Sequence, residues 1–105
     1  MALEVSIEKQ ANLVVICPAG EVDLYSSPQL RSAILSGLGE AEGGVAVDLS
    51  QVAYMDSSGV ATLVEGLQGA NKAQKTFVLV RPASAVLKVL QLARLDSVFT
   101  IRENV

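Results

Sequence analysis

The chain has 105 residues, no histidine and a formal net charge of −3, and its length suits one domain over residues 1–105. The negative charge, with no cluster of lysine and arginine, argues against direct nucleic-acid binding because nothing would attract a phosphate backbone. The missing histidine removes the Ser-His-Asp and Cys-His catalytic sets and the commonest zinc ligand, so we expect neither an enzyme nor a bound metal or cofactor.

The first two elements are predicted to form a hairpin. Leu3, Val5 and Ile7 alternate with polar residues, which is the period of a strand with one solvated face. The apolar run 13–17 predicts a second strand, and the short spacing between the two favours antiparallel pairing. Cys17, the single cysteine, lies in this run and is interpreted as a small core residue rather than a nucleophile.

A loop and a helix are predicted to follow. Residues 20–26 read as the loop, and Ser27 is expected to cap a helix that has Pro28 at its first position. The apolar side of this helix is predicted to consist of Leu30, Ile34, Leu35 and Leu38.

The middle of the chain predicts a central strand and a long helix. Residues 45–49 form a short apolar run of the kind that fills a buried strand. An amphipathic stretch begins after residues 57–59 and is predicted to be helical. Gly66 and Gly69 each cost roughly 1 kcal/mol in a helix interior, so they are interpreted as points of close approach, with a tolerated imperfection as the alternative.

The last elements complete an alternating pattern. Residues 77–80 predict a strand, Ser84 is expected to cap a third helix, and residues 98–101 predict a final strand. The resulting order, β-β-α-β-α-β-α-β, predicts an α/β fold with a mixed, mostly parallel sheet opened by the N-terminal hairpin. The inward side of the third helix is predicted to consist of Val86, Leu87, Leu90 and Ala93.

Membrane insertion and export are not expected. No apolar run approaches the roughly 20 residues that cross a bilayer. Residues 1–10 carry two glutamates instead of the basic start of a secretory signal. We therefore expect a cytoplasmic protein.

Two adjacent serines at the start of the long helix are the most informative chemical feature. In Asp56-Ser57-Ser58-Gly59 one serine is expected to cap the helix, which leaves the other hydroxyl free at the positive end of the helix dipole. A phosphate would be tolerated there, because backbone N–H groups and the dipole favour an anion. Taken alone, however, the motif favours a simple capped helix start.

The chain resembles the STAS domain family. Residues 45–59, VAVDLSQVAYMDSSG, resemble the family's Val-x-Val-Asp-Leu-Ser strand followed by Tyr-Met-Asp-Ser-Ser-Gly and a helix. Residues 20–23 resemble its Gly-Glu-Leu-Asp loop, and residues 94–99 resemble its closing passage from helix to strand. The resemblance covers essentially the whole chain and implies a STAS-like fold.

This resemblance implies an anti-sigma factor antagonist that works by partner switching in transcription regulation. In such members the first serine of Asp-Ser-Ser-Gly, here Ser57, is phosphorylated by an anti-sigma factor that is also a serine kinase. The unphosphorylated form binds that kinase and releases the sigma factor, and a PP2C-type phosphatase resets the switch. The resemblance implies a partner contact at Asp23, and we predict Tyr25, Asp56, Ser58 and Gly59 as further partner-binding residues.

Three alternatives stay open at the level of sequence. Asp23 could be a turn residue instead of a partner contact. Leu24 and Tyr25 depart from the expected pattern of the loop, and they could form an exposed docking patch or lie buried beneath the first helix. The whole chain could instead be a non-catalytic STAS subunit of a signalling scaffold or of a lipid ABC transporter.

Overall fold

The computed structural model describes residues 3–105, which form one sheet of six strands and three helices. This architecture confirms the predicted fold class, with one strand more than the sequence indicated. The elements in chain order are β1 (Glu4–Gln10), β2 (Leu13–Val22), α1 (Ser27–Glu40), β3 (Gly44–Asp48), β4 (Val52–Met55), α2 (Ser57–Ala73), β5 (Thr76–Val80), α3 (Ser84–Leu92) and β6 (Thr100–Arg102).

The sheet has the strand order β1-β2-β3-β5-β6, and β4 pairs with β2 outside this path. β1 is antiparallel to β2, which confirms the predicted hairpin and leaves β1 at an edge. The other pairs are all parallel. β3 pairs with the first part of β2 and β4 with its last residues, from Gly20 to Val22. The carboxyl ends of five strands therefore lie at the same edge of the sheet.

Side chains alternate between two faces of the sheet, and the helices share one of them. The main core joins strand residues such as Ile16 and Val47 to Leu30 of α1, Leu63 of α2 and Leu90 of α3. A second, smaller cluster on the opposite face contains strand residues alone: Val15, Ala46, Val78 and Val80.

Cys17 lies half-buried beside the smaller cluster. Burial raises the pKa of its thiol, and the nearby Asp48 carboxylate acts in the same direction. A thiol that stays protonated is a poor nucleophile, which agrees with the interpretation of Cys17 as a packing residue.

Gly66 marks a close contact between α2 and its neighbours. A Cβ at this position would stand 2.7 Å from a ring carbon of Phe77 in β5 and 2.9 Å from Ile34 in α1. At Gly69 the nearest atom, in the Leu38 side chain, would be 3.3 Å away. The predicted close approach is therefore confirmed, and it is tightest at Gly66.

Several predicted details are wrong. Leu35 is 41% exposed, because the inward stripe of α1 follows Leu30, Ile34 and Leu38 and leaves Leu35 on its flank. Ala93 is exposed because α3 ends at Leu92. The last strand is Thr100–Arg102 instead of residues 98–101.

The strand β4 is absent from the predicted order. Val52–Met55 is four residues long, and only three residues separate it from β3. Such a segment resembles a loop in sequence, because its strand conformation depends on pairing with a distant part of the chain, Gly20 to Val22. This pairing brings the segment that contains Asp23 next to the segment that contains Asp56 and Ser57.

Candidate functional site

Asp56 caps α2, so neither Ser57 nor Ser58 is the capping residue. Its backbone is extended (φ −101°, ψ −171°), and its Oδ1 accepts a hydrogen bond of 2.9 Å from the Ser58 N–H. The Val60 N–H donates to the Asp56 carbonyl at 3.1 Å. The expectation that one of the two serines would be the cap is therefore wrong, because the Asp56 carboxylate already satisfies this N–H group.

Ser57 is the first residue of α2 and is exposed. Within residues 3–105 neither its hydroxyl nor that of Ser58 forms a hydrogen bond, and the two serines differ in that Ser58 is half-buried. Ser57 thus presents an unengaged hydroxyl to solvent at the positive end of a 17-residue helix.

Gly59 is buried and lets the first turn of α2 lie flat on the sheet. A Cβ here would stand 2.5 Å from Met55 Cγ and 2.8 Å from Val22 Cγ1. Any larger residue would have to move the helix or these two side chains. Gly59 therefore acts by positioning the two serines that precede it.

The loop after β2 is organised by Asp23. Its Oδ1 accepts hydrogen bonds of 3.0 Å from the N–H groups of both Tyr25 and Ser26. The Ser26 Oγ accepts from the Asp23 N–H at 2.9 Å and donates to the Glu21 carbonyl at 2.8 Å. The bond from the Ser26 N–H is the main cause of a lowered pKa at Asp23, and it outweighs partial burial, which acts the other way.

This turn exposes two side chains and leads into α1. Leu24 is 66% exposed and Tyr25 is 90% exposed, so the alternative of burial beneath α1 is wrong. Ser26 occupies the N-cap position of α1. The prediction that Ser27 caps the helix is wrong, because Ser27 is already its first residue and is buried, although Pro28 lies in the first turn as expected.

Pairing of β2 with β4 brings the two segments side by side. The Asp56 N–H donates to the Val22 carbonyl at 3.1 Å, and Val22 directly precedes Asp23. Tyr54 pairs with Glu21 across the strands and is 49% exposed. Tyr54 was not among the predicted site residues. It lies in the apolar run Val52–Met55, which gave no sign that its side chain would be exposed next to this loop.

The resulting surface combines an acceptor hydroxyl, exposed aromatic rings and carboxylates. Ser57 can accept a group transferred by another protein, while Tyr25 and Tyr54 offer apolar area for docking. Residues 3–105 contain no group of three side chains suited to hold a metal ion, and no helix among them is long and apolar enough to span a membrane.

Comparison with known proteins identifies the family. A family model described as "Mlab, STAS domain" matches residues 5–102. The chain belongs to the STAS domain family. The anti-sigma-B factor antagonist of Bacillus subtilis (strain 168) is 31% identical to this STAS domain over 102 residues, which cover 96% of this chain and 84% of that protein.

Solved structures of similar proteins agree with the fold. The crystal structure of an anti-sigma factor antagonist from Mycobacterium paratuberculosis superposes with a TM-score of 0.87 at 23% identity, covering 98% of this chain and 87% of that one. The Bacillus cell fate determinant SpoIIAA in its phosphorylated form gives a TM-score of 0.75 at 22% identity, covering 96% and 92%. The resemblance noted in the sequence is thereby confirmed at the level of family and fold.

Proposed function

We propose that this STAS domain is an anti-sigma factor antagonist controlled by phosphorylation of Ser57. The unphosphorylated form binds an anti-sigma factor that is also a serine kinase, and the sigma factor is released. Phosphorylation of Ser57 by that kinase ends the binding, and a PP2C-type phosphatase restores it. The chain itself is not an enzyme in this scheme, because both reactions are performed by its partners.

The observation that carries this proposal is the state of the Ser57 hydroxyl. It is exposed and unengaged, while the neighbouring Asp56 already satisfies the capping requirement of α2. A phosphate on Ser57 would therefore break no hydrogen bond of the described structure. It would also lie where the helix dipole stabilises negative charge by about 0.3–1 kcal/mol.

The proposed partner-binding surface has members with different roles. Tyr25 offers direct contact through its exposed ring, and Asp23 holds the turn that presents it. Asp56 and Ser58 flank Ser57 in the chain, and Gly59 lets the start of α2 pack closely against Met55 and Val22. A phosphate would add charge of about −1.5 to −2 next to Asp56, so the modified surface would disfavour a partner that matches the unmodified one.

The relatives support the same function. The Bacillus subtilis protein at 31% identity is named an anti-sigma-B factor antagonist, and its match extends over nearly the whole of this chain. SpoIIAA, which shares the fold, has been solved in a phosphorylated form. A protein of this architecture therefore accommodates a phosphate.

A phosphorylation assay tests the proposal. The protein is incubated with ATP and a co-encoded serine kinase, and intact-mass and fragment spectra locate the modification. We expect one phosphate on Ser57 in the wild type and in Ser58→Ala, and none in Ser57→Ala. Stoichiometric phosphate on Ser58 in a protein with intact Ser57 would move the site, and no modification by any co-encoded kinase would remove the switch.

A second candidate function is that of a non-catalytic subunit in a signalling scaffold or a lipid ABC transporter. The matching family model carries the name Mlab instead of that of an anti-sigma factor antagonist, and this is the observation in its favour. Isolation of the native complex separates the two functions. Recovery of an ABC ATPase or of a ring of STAS proteins supports the second, and recovery of a serine kinase supports the first.

A further inference from the structure

A cavity of about 740 Å³ lies at the carboxyl ends of β5 and β6, apart from the Ser57 surface. Its apolar lining comes from Pro82, Leu87 of α3 and Ile101 of β6. Its polar lining includes two arginines, Arg81 and Arg102. This volume is within the range of small-molecule sites, and the cavity is open to solvent with a lining that is somewhat more polar than apolar.

Arg81 is held in place by three features. Its guanidinium forms an ion pair with Asp48, a carboxylate that is only 7% exposed. Its backbone N–H donates to the Arg102 carbonyl at 2.8 Å. Its φ of +46° is unusual for a residue with a side chain, and such conformations occur where the surrounding structure fixes the backbone. The Arg81 guanidinium is thus oriented in advance, and one nitrogen pairs with Asp48 while its other donors remain available.

Arg102 supplies the second guanidinium. Within residues 3–105 it forms no ion pair, and it is exposed. The backbone hydrogen bond between Arg81 and Arg102 keeps the two residues adjacent. The cavity lining contains one carboxylate, that of Glu103, and Asp48 already neutralises Arg81, so Arg102 is the cation of the lining that remains available to a ligand.

The available guanidinium of Arg102, the remaining donors of Arg81 and the apolar part of the lining match one ligand chemistry. Guanidinium groups bind carboxylates and phosphates through paired, charge-assisted hydrogen bonds. Leu87 and Ile101 can cover a hydrocarbon or ring that carries the anion. In open sheets of parallel strands, ligands commonly bind at the carboxyl ends of the strands, which is where this cavity lies. We propose that the cavity between Arg81 and Arg102 binds a small organic oxyanion that carries an apolar group.

Titration followed by backbone amide NMR tests this site. The probes are phenyl phosphate, benzoate and the uncharged benzyl alcohol, each added to the full-length protein. We expect saturable shifts at residue 81 and residues 101–104 with phenyl phosphate or benzoate, and much smaller ones with benzyl alcohol. The tighter of the two anions identifies the phosphate or the carboxylate as the preferred group. Saturable shifts confined to the first turn of α2, or no saturable shifts, would overturn the proposal.

Substitutions with matched charge sharpen the test. Arg102→Gln should weaken binding by about tenfold or more, because it removes one charge-assisted contact without breaking an ion pair. Arg94→Gln is the control, since it removes the same charge from an exposed residue outside the cavity lining. A melting curve for each variant checks the fold. Equal weakening by both substitutions would reduce the effect to net charge and contradict the assigned site.

Discussion

Replacing Gly59 with alanine would force a methyl group into the contact between α2 and the sheet. The new Cβ would stand 2.5 Å from Met55 Cγ and 2.8 Å from Val22 Cγ1, well inside the optimal carbon separation of about 3.5–4.0 Å. Overpacking of this kind costs about 1–3 kcal/mol, and alanine in a helix recovers up to about 1 kcal/mol relative to glycine. We therefore expect the free energy of unfolding to fall by about 1–2 kcal/mol.

Thermal unfolding measures this effect, with Gly69→Ala as the matched control in the same helix. For a domain of this size each kcal/mol changes the melting temperature by about 4–8 °C, so Gly59→Ala should melt about 5–15 °C below the wild type. Gly69→Ala should melt at the wild-type temperature or slightly higher, because the nearest atom, Leu38 Cδ1, is 3.3 Å from its Cβ. If Gly59→Ala melted at least as high as Gly69→Ala, the packing that we assign to the start of α2 would be wrong.

Three further predictions concern the aspartates. Asp56→Ala should lower stability by about 1 kcal/mol and Asp56→Asn by much less, since asparagine also caps helices; equal losses in melting curves would argue against the cap. Burial acts to raise the pKa of Asp48, but hydrogen bonds from Ser50 and Arg81 lower it overall. The Asp48 carboxylate therefore stabilises the fold above its unfolded pKa of about 3.9, and this stabilisation is lost as the pH falls through the lower folded pKa. The melting temperature should consequently fall less steeply in acid for Asp48→Asn than for the wild type, and identical slopes would contradict this. Asp23→Ala should weaken partner binding in calorimetry without unfolding the domain, whereas Asp23→Asn should preserve it through the remaining Oδ1 acceptor; equal affinities of both variants and the wild type would leave Asp23 with no part in binding.

The elements that depend on local patterns could be predicted from the sequence. The alternation in β1, the apolar run of β3 and the apolar stripe of α2 each carry their own period, so hairpin, central strand and long helix were correct. β4 depends on pairing with residues more than 30 positions earlier in the chain, and such pairing leaves no local period. The sequence therefore indicated the fold class but not β4, the strand that brings the two segments of the candidate site together.

In the candidate site, too, local patterns could be predicted from the sequence and contacts between segments could not. The motif at residues 56–59 marked the helix start, but the sequence assigned the cap to one of its two serines, whereas the extended backbone of Asp56 lets its carboxylate reach the Ser58 N–H. At α1 the sequence favoured Ser27 as the cap because Pro28 follows it, whereas Ser26 occupies the N-cap position and is bonded within the turn around Asp23. Exposure of Tyr25 and Tyr54 follows from tertiary packing, which no local pattern encodes.

The most direct test of the proposed switch is the affinity of the anti-sigma partner for the unmodified protein and for the protein phosphorylated on Ser57. Docking would remove water from a nearly doubly charged group next to Asp56, and an unpaired charge in an interface costs about 3–5 kcal/mol. The dissociation constant should therefore rise by roughly two to four powers of ten. Circular dichroism spectra of the two forms should overlay, because the phosphate is tolerated at the start of α2. Equally tight binding of both forms would contradict the switch and reduce Ser57 to the first residue of a capped helix.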